Sequence, residues 1–312
     1  MKKTERFRLF GLLGLMSMVI FSCSKVASDE ELQTKEQTLL KQYLVTHNIT
    51  VAPTSSGLYY IPIDTGTGAS PSLDSTAVIF NYSIKLIDDR IVSTNIKSIA
   101  QVNGIYSSST FYYPLKYRLA WWFNGMQQAL KMMKEGGKAT FILPSSLAYG
   151  KEGSSSMGIG SYATVIFYVE LIKVIPDMQA YEHQLFTSYL DTIAAEKIAD
   201  TTSTGVVHII DVPGTGAYPN PTNSITVFYK AYFIENSSWI IDDNTGGTPF
   251  VFSTSSASLI PGFSAGAKLM KLGEKGRLIL PYMQAYGEIP SYYTPIPPFS
   301  TLVYQYEVSN IQ

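Results

Sequence analysis

The chain has 312 residues and a formal net charge of −1 at pH 7, from 23 Lys and Arg against 24 Asp and Glu. This balance gives no sign of a nucleic-acid-binding surface, and the single cysteine excludes an intrachain disulfide. The three histidines, His47, His183 and His208, are scattered without cysteine or carboxylate companions, so we predict no metal site.

The first 22 residues read as a secretory signal, because a basic start containing Lys2 and Lys3 precedes an apolar run from Leu9 to Phe21. That run is shorter than the about 20 residues of a membrane-spanning helix. Cys23 follows Ile-Phe-Ser, which is similar to a bacterial lipobox. We therefore predict that residues 1–22 are removed and that Cys23 is lipidated; the alternative is an ordinary buried cysteine.

Residues 23–53 are predicted to form a linker and a helix. Ser28 before Asp29, Glu30 and Glu31 makes a capping box, and apolar residues follow at helical spacing.

The next part of the chain, 54–175, has the order strands, short helix, strands. Strands are predicted at Thr76–Leu86, Lys138–Leu143 and Ala163–Val174, where β-branched and aromatic residues are frequent. Helical spacing of apolar residues predicts a helix between Trp122 and Met133. The pattern is that of an α+β domain, an antiparallel sheet with one helix on its face.

A connecting helix is predicted for 176–201, where Pro176 opens a segment with an apolar stripe. The stripe consists of Met178, Tyr181, Leu185, Tyr189 and Ile193. Docking on the helix's own domain and dimerisation are both compatible with such a stripe.

A second copy of the first domain follows at 202–312. Ser56–Ala69 recurs as Thr204–Ala217, and Ala148-Tyr149-Gly150 returns as Ala285-Tyr286-Gly287. Its predicted strands are Ser224–Ile234, Gly276–Leu280 and Thr301–Ile311, with a helix between Ile260 and Met270. The chain is therefore predicted to hold two tandem domains of one fold.

The repeated motifs resemble the FKBP domain in its bacterial exported form. They include Ser-Gly-Leu-Tyr-Tyr followed by Gly-Thr-Gly (56–68), Leu-Ala-Tyr-Gly (147–150) and Ala-Thr-Val-Ile-Phe-Tyr-Val-Glu-Leu (163–171). The resemblance covers about 54–175 and 202–312. It implies a curved antiparallel sheet wrapped on a short helix, with an aromatic pocket between them that takes a prolyl ring.

The resemblance also implies the pocket residues. In the second copy the catalytic positions fall on Tyr229, Asp242, Ile260 and Tyr286, and the substrate-binding positions on Ile241, Phe250, Phe252, Phe263, Ile296 and Tyr304. In the first copy they fall on Tyr82, Val92, Ser93, Tyr113, Trp122, Phe123, Met126, Tyr149, Ile159 and Phe167.

The two copies depart from the family pattern in different ways. Ser93 replaces the usual aspartate, which Asp242 keeps, and the stretch from Asn95 to Arg118 is longer than the family norm. Met126 and Phe263 stand where the family usually has a tryptophan on the pocket floor. The second copy is thus expected to be closer to the active pattern.

The implied function is peptidyl-prolyl cis-trans isomerisation without a cofactor, assisting the folding of exported, proline-containing polypeptides. We place the chain in the cell envelope, anchored by lipid to a bacterial membrane, expected to be the outer membrane, and facing the periplasm or the outside. The alternatives are a non-catalytic peptide-binding chaperone or assembly module, and a purely structural envelope protein. The oligomeric state stays open.

Overall fold

A computed structural model describes residues 27–72, 76–194, 197–289 and 296–312. The predicted signal and Cys23 lie outside these residues. Within them, every helix is too short or too polar to cross a membrane. The same residues contain no cluster of three or more His, Cys, Asp or Glu side chains suited to a metal ion.

Helix α1 (Asp29–Thr46) begins with the predicted capping box. The Glu31 N–H donates to Ser28 Oγ at 3.2 Å, and the Ser28 N–H donates to Glu31 Oε2 at 2.7 Å. Its Tyr43 packs against Ile142 and Ile166.

The first sheet has six antiparallel strands. Their order is β1 (Tyr59–Asp64), β5 (Lys138–Leu143), β6 (Val165–Ile175), β2 (Ala77–Leu86) and β3 (Ile91–Thr94), with β4 (Leu115–Arg118) also paired to β2. The helices are α2 (Lys97–Val102) and α3 (Asn124–Lys131). The predicted strands and helix of this copy are confirmed to within about two residues at each end.

Helix α4 (Met178–Leu190) connects the two sheets. It begins two residues later than Pro176 would suggest, because Asp177 is the N-cap and accepts the Gln179 and Ala180 N–H groups. The predicted connecting helix therefore ends at Leu190, and the same segment also contains strand β7 (Ile198–Thr201).

The second sheet repeats the first, with one extra strand. Its order is β10 (Asn236–Asp243), β9 (Ser224–Phe233), β13 (Leu302–Ile311), β12 (Lys275–Leu280), β8 (Val207–Val212) and β7, with β11 (Phe250–Ser253) paired to β9. Helix α5 (Pro261–Ala267) lies on it. The architecture is α+β, with two tandem domains of the same design.

Each sheet is covered on both faces. In the second, Leu278 and Leu280 face the cluster containing α5, whereas Ile279 between them faces Leu185 and Tyr189 of α4. Ile193, beyond the end of α4, joins the same cluster. The period of two along a strand explains this division. The α4 stripe therefore docks on its own domain only through Leu185, Tyr189 and Ile193, whereas Met178 and Tyr181 pack in a cluster shared by both copies.

Candidate active site

The second copy gathers five aromatic side chains where α5 packs against its sheet. Ring centroids lie 5.0 Å apart for Phe263 and Tyr304, 5.3 Å for Phe252 and Phe263, and 5.6 Å for Tyr229 and Tyr304. Phe250 stacks on Phe252 at 5.1 Å. Such spacings are those of favourable offset or edge-to-face ring pairs.

The cluster has a buried floor and an exposed rim. Phe263 and Tyr304 are 3% and 9% exposed, whereas Phe250 and Tyr286 are 38% and 37% exposed. Ile241 and Ile260 are half-buried beside it, and Ile296 is buried in it. All ten residues predicted for this copy therefore fall in one region, with apolar surface below and access to solvent above.

A polar group lies at one side of this region. The Tyr229 hydroxyl donates to Asp242 Oδ2, and the hydroxyls of Tyr286 and Tyr304 are hydrogen-bonded to each other. Burial, and then the hydrogen bond to Asp242, raise the pKa of Tyr229; burial also raises the pKa of Tyr286 and Tyr304. The three phenols therefore stay protonated at neutral pH; Tyr229 uses its proton in the hydrogen bond to Asp242, whereas Tyr286, which accepts from Tyr304, keeps its own for a further acceptor.

The N-terminus of α5 supplies a backbone donor. Ile260 is the N-cap, with an extended backbone at φ −62° and ψ 142°. Its N–H has no acceptor among residues 27–72, 76–194, 197–289 and 296–312. An unpaired N–H at a helix start is suited to bind a carbonyl oxygen.

Two asparagines that the sequence analysis missed hold the pocket tyrosines. Asn244 Oδ1 accepts the Tyr229 N–H at 2.6 Å, and Asn95 Oδ1 accepts the Tyr82 N–H at 2.7 Å. Each asparagine comes two residues after the Asp242 or Ser93 position. Aligning the two copies at that position would have shown the shared asparagine.

The first copy arranges its corresponding residues in the same way, but a serine takes the place of the aspartate. The Tyr82 hydroxyl lies 3.2 Å from Ser93 Oγ, in the place of the Tyr229 and Asp242 pair. Phe123 lies 5.4 Å from Tyr149 and 5.9 Å from Phe167 by ring centroid.

The floor and rim of the first copy are more closed. Met126, Ile159 and Phe167 are buried, and Val92 and Trp122 pack at the edge of their cluster. The Tyr149 hydroxyl contacts Met157 Sδ at 4.0 Å, and burial raises the pKa of Tyr149 to about 12.

Tyr113 is not part of this group, which corrects the expectation. Its ring stacks on Trp239 of the second copy at 5.0 Å. The strand register explains the error: Leu115 pairs with Phe80, two residues before Tyr82, just as Phe250 pairs with Val227, two residues before Tyr229. Leu115 therefore occupies the position that we had assigned to Tyr113.

The comparison with known families agrees with this geometry. The sequence profile of FKBP-type peptidyl-prolyl cis-trans isomerases matches residues 70–172 and 216–309. The chain belongs to this family. The first matched segment contains α3 and all or most of strands β2 to β6, and the second contains α5 and all or most of strands β9 to β13, so both copies are FKBP domains.

Named FKBP relatives match part of the chain. FKBP-type peptidyl-prolyl cis-trans isomerase FkpA of Escherichia coli (strain K12) is 35% identical over 130 residues, 42% of each chain. Probable FkpA of Neisseria meningitidis serogroup B is 36% identical over 124 residues, 40% of each chain. The matched region thus spans about two fifths of the length of these relatives.

Solved structures are similar as well. The crystal structure of FkpA from Escherichia coli matches at a TM-score of 0.38 and 32% identity, over 47% of this chain and 62% of that one. The three FKBP domains of wheat FKBP73 match at a TM-score of 0.33 and 19% identity, over 83% and 96% of the two chains.

Proposed function

We propose that the second FKBP domain catalyses cis-trans isomerisation of X-Pro bonds in polypeptides and assists the folding of exported proteins. Rotation about a peptide bond requires loss of its double-bond character, at a barrier of about 18–20 kcal/mol. For X-Pro bonds the exchange takes tens to hundreds of seconds unaided. An enzyme accelerates it by binding the twisted amide more tightly than either planar form.

The residues of the second copy are suited to this task. A prolyl ring fits the chemistry of the Phe263 and Tyr304 floor, which removes water from the amide. Water hydrogen-bonds the planar, more dipolar amide better than the twisted one, so its removal lowers the barrier. The Ile260 N–H and the Tyr286 hydroxyl then hold the flanking carbonyl oxygens, and Asp242 orients the Tyr229 hydroxyl.

The single observation that carries the proposal is the combination of a buried aromatic floor with an exposed rim that bears hydrogen-bond donors. An ordinary β core would bury all of these rings, but Phe250 and Tyr286 are each more than a third exposed. The substrate-binding residues are then Ile241, Phe250, Phe252, Phe263, Ile296 and Tyr304.

The test is the rate of cis-to-trans exchange in a short X-Pro peptide. We expect Asp242→Asn and Tyr286→Phe each to lower kcat/KM roughly tenfold, the effect of about 1.4 kcal/mol of lost transition-state binding. Asp243→Asn is the matched control, since Asp243 is a neighbouring exposed carboxylate bound to Thr245; it should keep the wild-type rate. A wild-type chain that does not accelerate exchange would refute the proposal.

The first copy suggests a second function, holding peptide segments without turnover. Ser93 replaces the carboxylate of the second copy, and Met126 forms a non-aromatic floor. We expect the full chain with Asp242→Asn, whose kcat/KM falls roughly tenfold, to suppress aggregation of an unfolded client as well as the wild type does. Adding Phe123→Ala should weaken that suppression; if it does not, the first pocket does not bind clients.

We also propose that lipid on Cys23 anchors the chain in the cell envelope. The supporting feature is the apolar run that ends in Ile-Phe-Ser before Cys23. Cys23→Ser should move the protein from the membrane fraction to the soluble fraction, and an unchanged distribution would exclude the anchor.

A further inference from the structure

In each copy the rim tyrosine lies at the base of a loop whose two ends are joined by hydrogen bonds. We call this base the loop neck; it consists of 282–287 and 299–301 in the second copy and of 145–150 and 162–164 in the first. In the second copy, the Gly287 N–H donates to the Tyr282 carbonyl at 2.8 Å, and the Phe299 N–H donates to the Gly287 carbonyl at 2.9 Å. Tyr286 directly precedes Gly287. Any movement of this neck therefore moves the rim tyrosine.

The first copy has the same neck. The Gly150 N–H donates to the Ser145 carbonyl at 2.8 Å, and the Tyr162 N–H donates to the Gly150 carbonyl at 2.9 Å. Tyr162 and Phe299 also share a left-handed backbone, with φ of 52° and 58°. Non-glycine residues adopt this conformation when the surrounding structure requires it.

A glutamate from the preceding helix reaches each neck. In the second copy, Glu182 Oε1 of α4 accepts the Tyr282 N–H at 2.8 Å and the Thr301 hydroxyl. Tyr282 follows β12 after one residue, and Thr301 directly precedes β13. One carboxylate oxygen thus joins the two sides of the neck.

The first copy repeats this contact with Glu36 of α1. Its Oε1 accepts the Ser145 N–H at 2.6 Å and the Thr164 hydroxyl at 2.8 Å, and its Oε2 accepts the Ser145 hydroxyl at 2.7 Å. Ser145 and Thr164 are 3% and 2% exposed. Hydrogen bonds to a carboxylate in such a site are stronger than those between neutral groups.

Both glutamates lie outside the segments that match the family, 70–172 and 216–309. Helices α1 and α4 precede those segments, and each places a carboxylate at the same point of the domain that follows it. A helix that served only to cover the sheet would need its apolar stripe but no acidic side chain at the loop.

We propose that Glu182 is a positioning residue for Tyr286, and Glu36 for Tyr149, so that the helix before each domain fixes the rim of its pocket. The catalytic consequence for Tyr286 rests on the proposed isomerase function. The structural consequence, one carboxylate that joins the two sides of the neck, does not depend on it.

The test compares amide hydrogen exchange in the full chain. Glu182→Ala should speed exchange at 282–287 roughly ten- to a hundredfold, the range expected for lost hydrogen bonds to a charged group. Exchange at 145–150 should stay as in the wild type, and Glu36→Ala should show the reverse pattern. His183→Ala, an exposed neighbour on α4, is the matched control and should change neither segment.

The activity readout separates positioning from folding. Glu182→Ala should lower kcat/KM for the X-Pro peptide roughly tenfold, and Glu182→Gln, whose amide oxygen accepts the same hydrogen bonds, should restore most of the loss. Unchanged amide hydrogen exchange at 282–287 in Glu182→Ala would overturn the proposal. Faster amide exchange there with a wild-type kcat/KM for the X-Pro peptide would overturn it as well. An inactive wild type would count against the isomerase function, while exchange would still decide the role of Glu182.

Discussion

At the scale of single residues, the second copy contains a buried polar cluster that the first lacks. His208 Nε2 lies 3.0 Å from Glu274 Oε1 and 2.7 Å from the Tyr306 hydroxyl, which donates to Glu274 Oε1 at 2.6 Å. All three residues are at most 3% exposed. Gly276 makes room for them, since a Cβ there would lie 2.7 Å from the Tyr306 hydroxyl and 2.3 Å from the Ile209 carbonyl.

Because the three buried side chains of this cluster form hydrogen bonds with one another, removing one of them should destabilise the domain. Tyr306→Phe keeps the ring but leaves His208 and Glu274 short of a hydrogen bond. We expect the free energy of unfolding to fall by about 1–3 kcal/mol. Urea denaturation followed by circular dichroism measures this.

The matched control is Tyr60→Phe, at the position in the first copy that aligns with His208. The Tyr60 ring stacks on Phe141 at 5.2 Å, and its hydroxyl has no hydrogen bond among the described residues. This control should change the free energy of unfolding by less than about 0.5 kcal/mol. Equal losses in both variants would show that the cluster contributes nothing specific.

At the scale of elements, the long central strands could be predicted from the sequence and the short ones could not. β2, β6, β9 and β13 have ten or eleven residues rich in β-branched and aromatic side chains, so their composition predicts strands. β11 has four residues, and its Phe250 and Val251 are 38% and 58% exposed. A strand that short carries too little pattern to be separated from a loop.

Helices α1 and α4 were predictable from a capping box and an apolar stripe, and the contribution of α1 to stability can be tested. Tyr43 of α1 is 6% exposed against the sheet. Tyr43→Ala removes this ring from the interface between helix and sheet. We expect the free energy of unfolding to fall by about 3 kcal/mol.

Val45 on the same helix is the control, because it is 78% exposed. Val45→Ala should shift the free energy of unfolding by no more than about 0.5 kcal/mol. Thermal and urea unfolding of both variants would decide the matter. A Tyr43→Ala chain as stable as Val45→Ala would mean that α1 rests on the sheet without stabilising it.

At the scale of the whole molecule, the two FKBP domains contact each other through the segment that is longer than usual in the first copy and through Trp121, just beyond it. Trp121 stacks on Phe299 at 5.5 Å with planes 5° apart, and Phe111 meets Phe233 edge-on at 6.2 Å. Arg118 donates to Glu288 Oε2 at 2.8 Å, two residues beyond the rim tyrosine Tyr286. The first domain thus also touches the loop neck of the second.

This interface explains why the candidate site was only partly predictable. The resemblance to the FKBP domain assigned ten residues to the second site, and the structure brings them into one region. The resemblance carries no information on contacts between copies. Tyr113 was therefore assigned to a pocket by its aromatic character, although it packs against Trp239 across the interface.

An ion pair lies within the interface, between Lys116 and Glu235, whose side chains are 8% and 14% exposed. Lys116 Nζ also donates to the Phe299 carbonyl at 2.9 Å, whereas Glu235 Oε2 is buried without a partner among the described residues. Lys116→Met would leave the Glu235 charge buried and unpaired. We expect the free energy of unfolding to fall by about 3–5 kcal/mol.

Replacing both partners should reverse that loss, because no charge then remains to be desolvated. We expect Lys116→Met with Glu235→Leu to be within about 1 kcal/mol of the wild type in urea denaturation. The exposed pair of Lys275 and Glu307 is the control, with side chains 50% and 48% exposed, and Lys275→Met should cost less than about 1 kcal/mol. If Lys116→Met lowers the free energy of unfolding no more than Lys275→Met does, the two domains do not exclude water from their interface. In that case the first domain cannot hold the second rigidly.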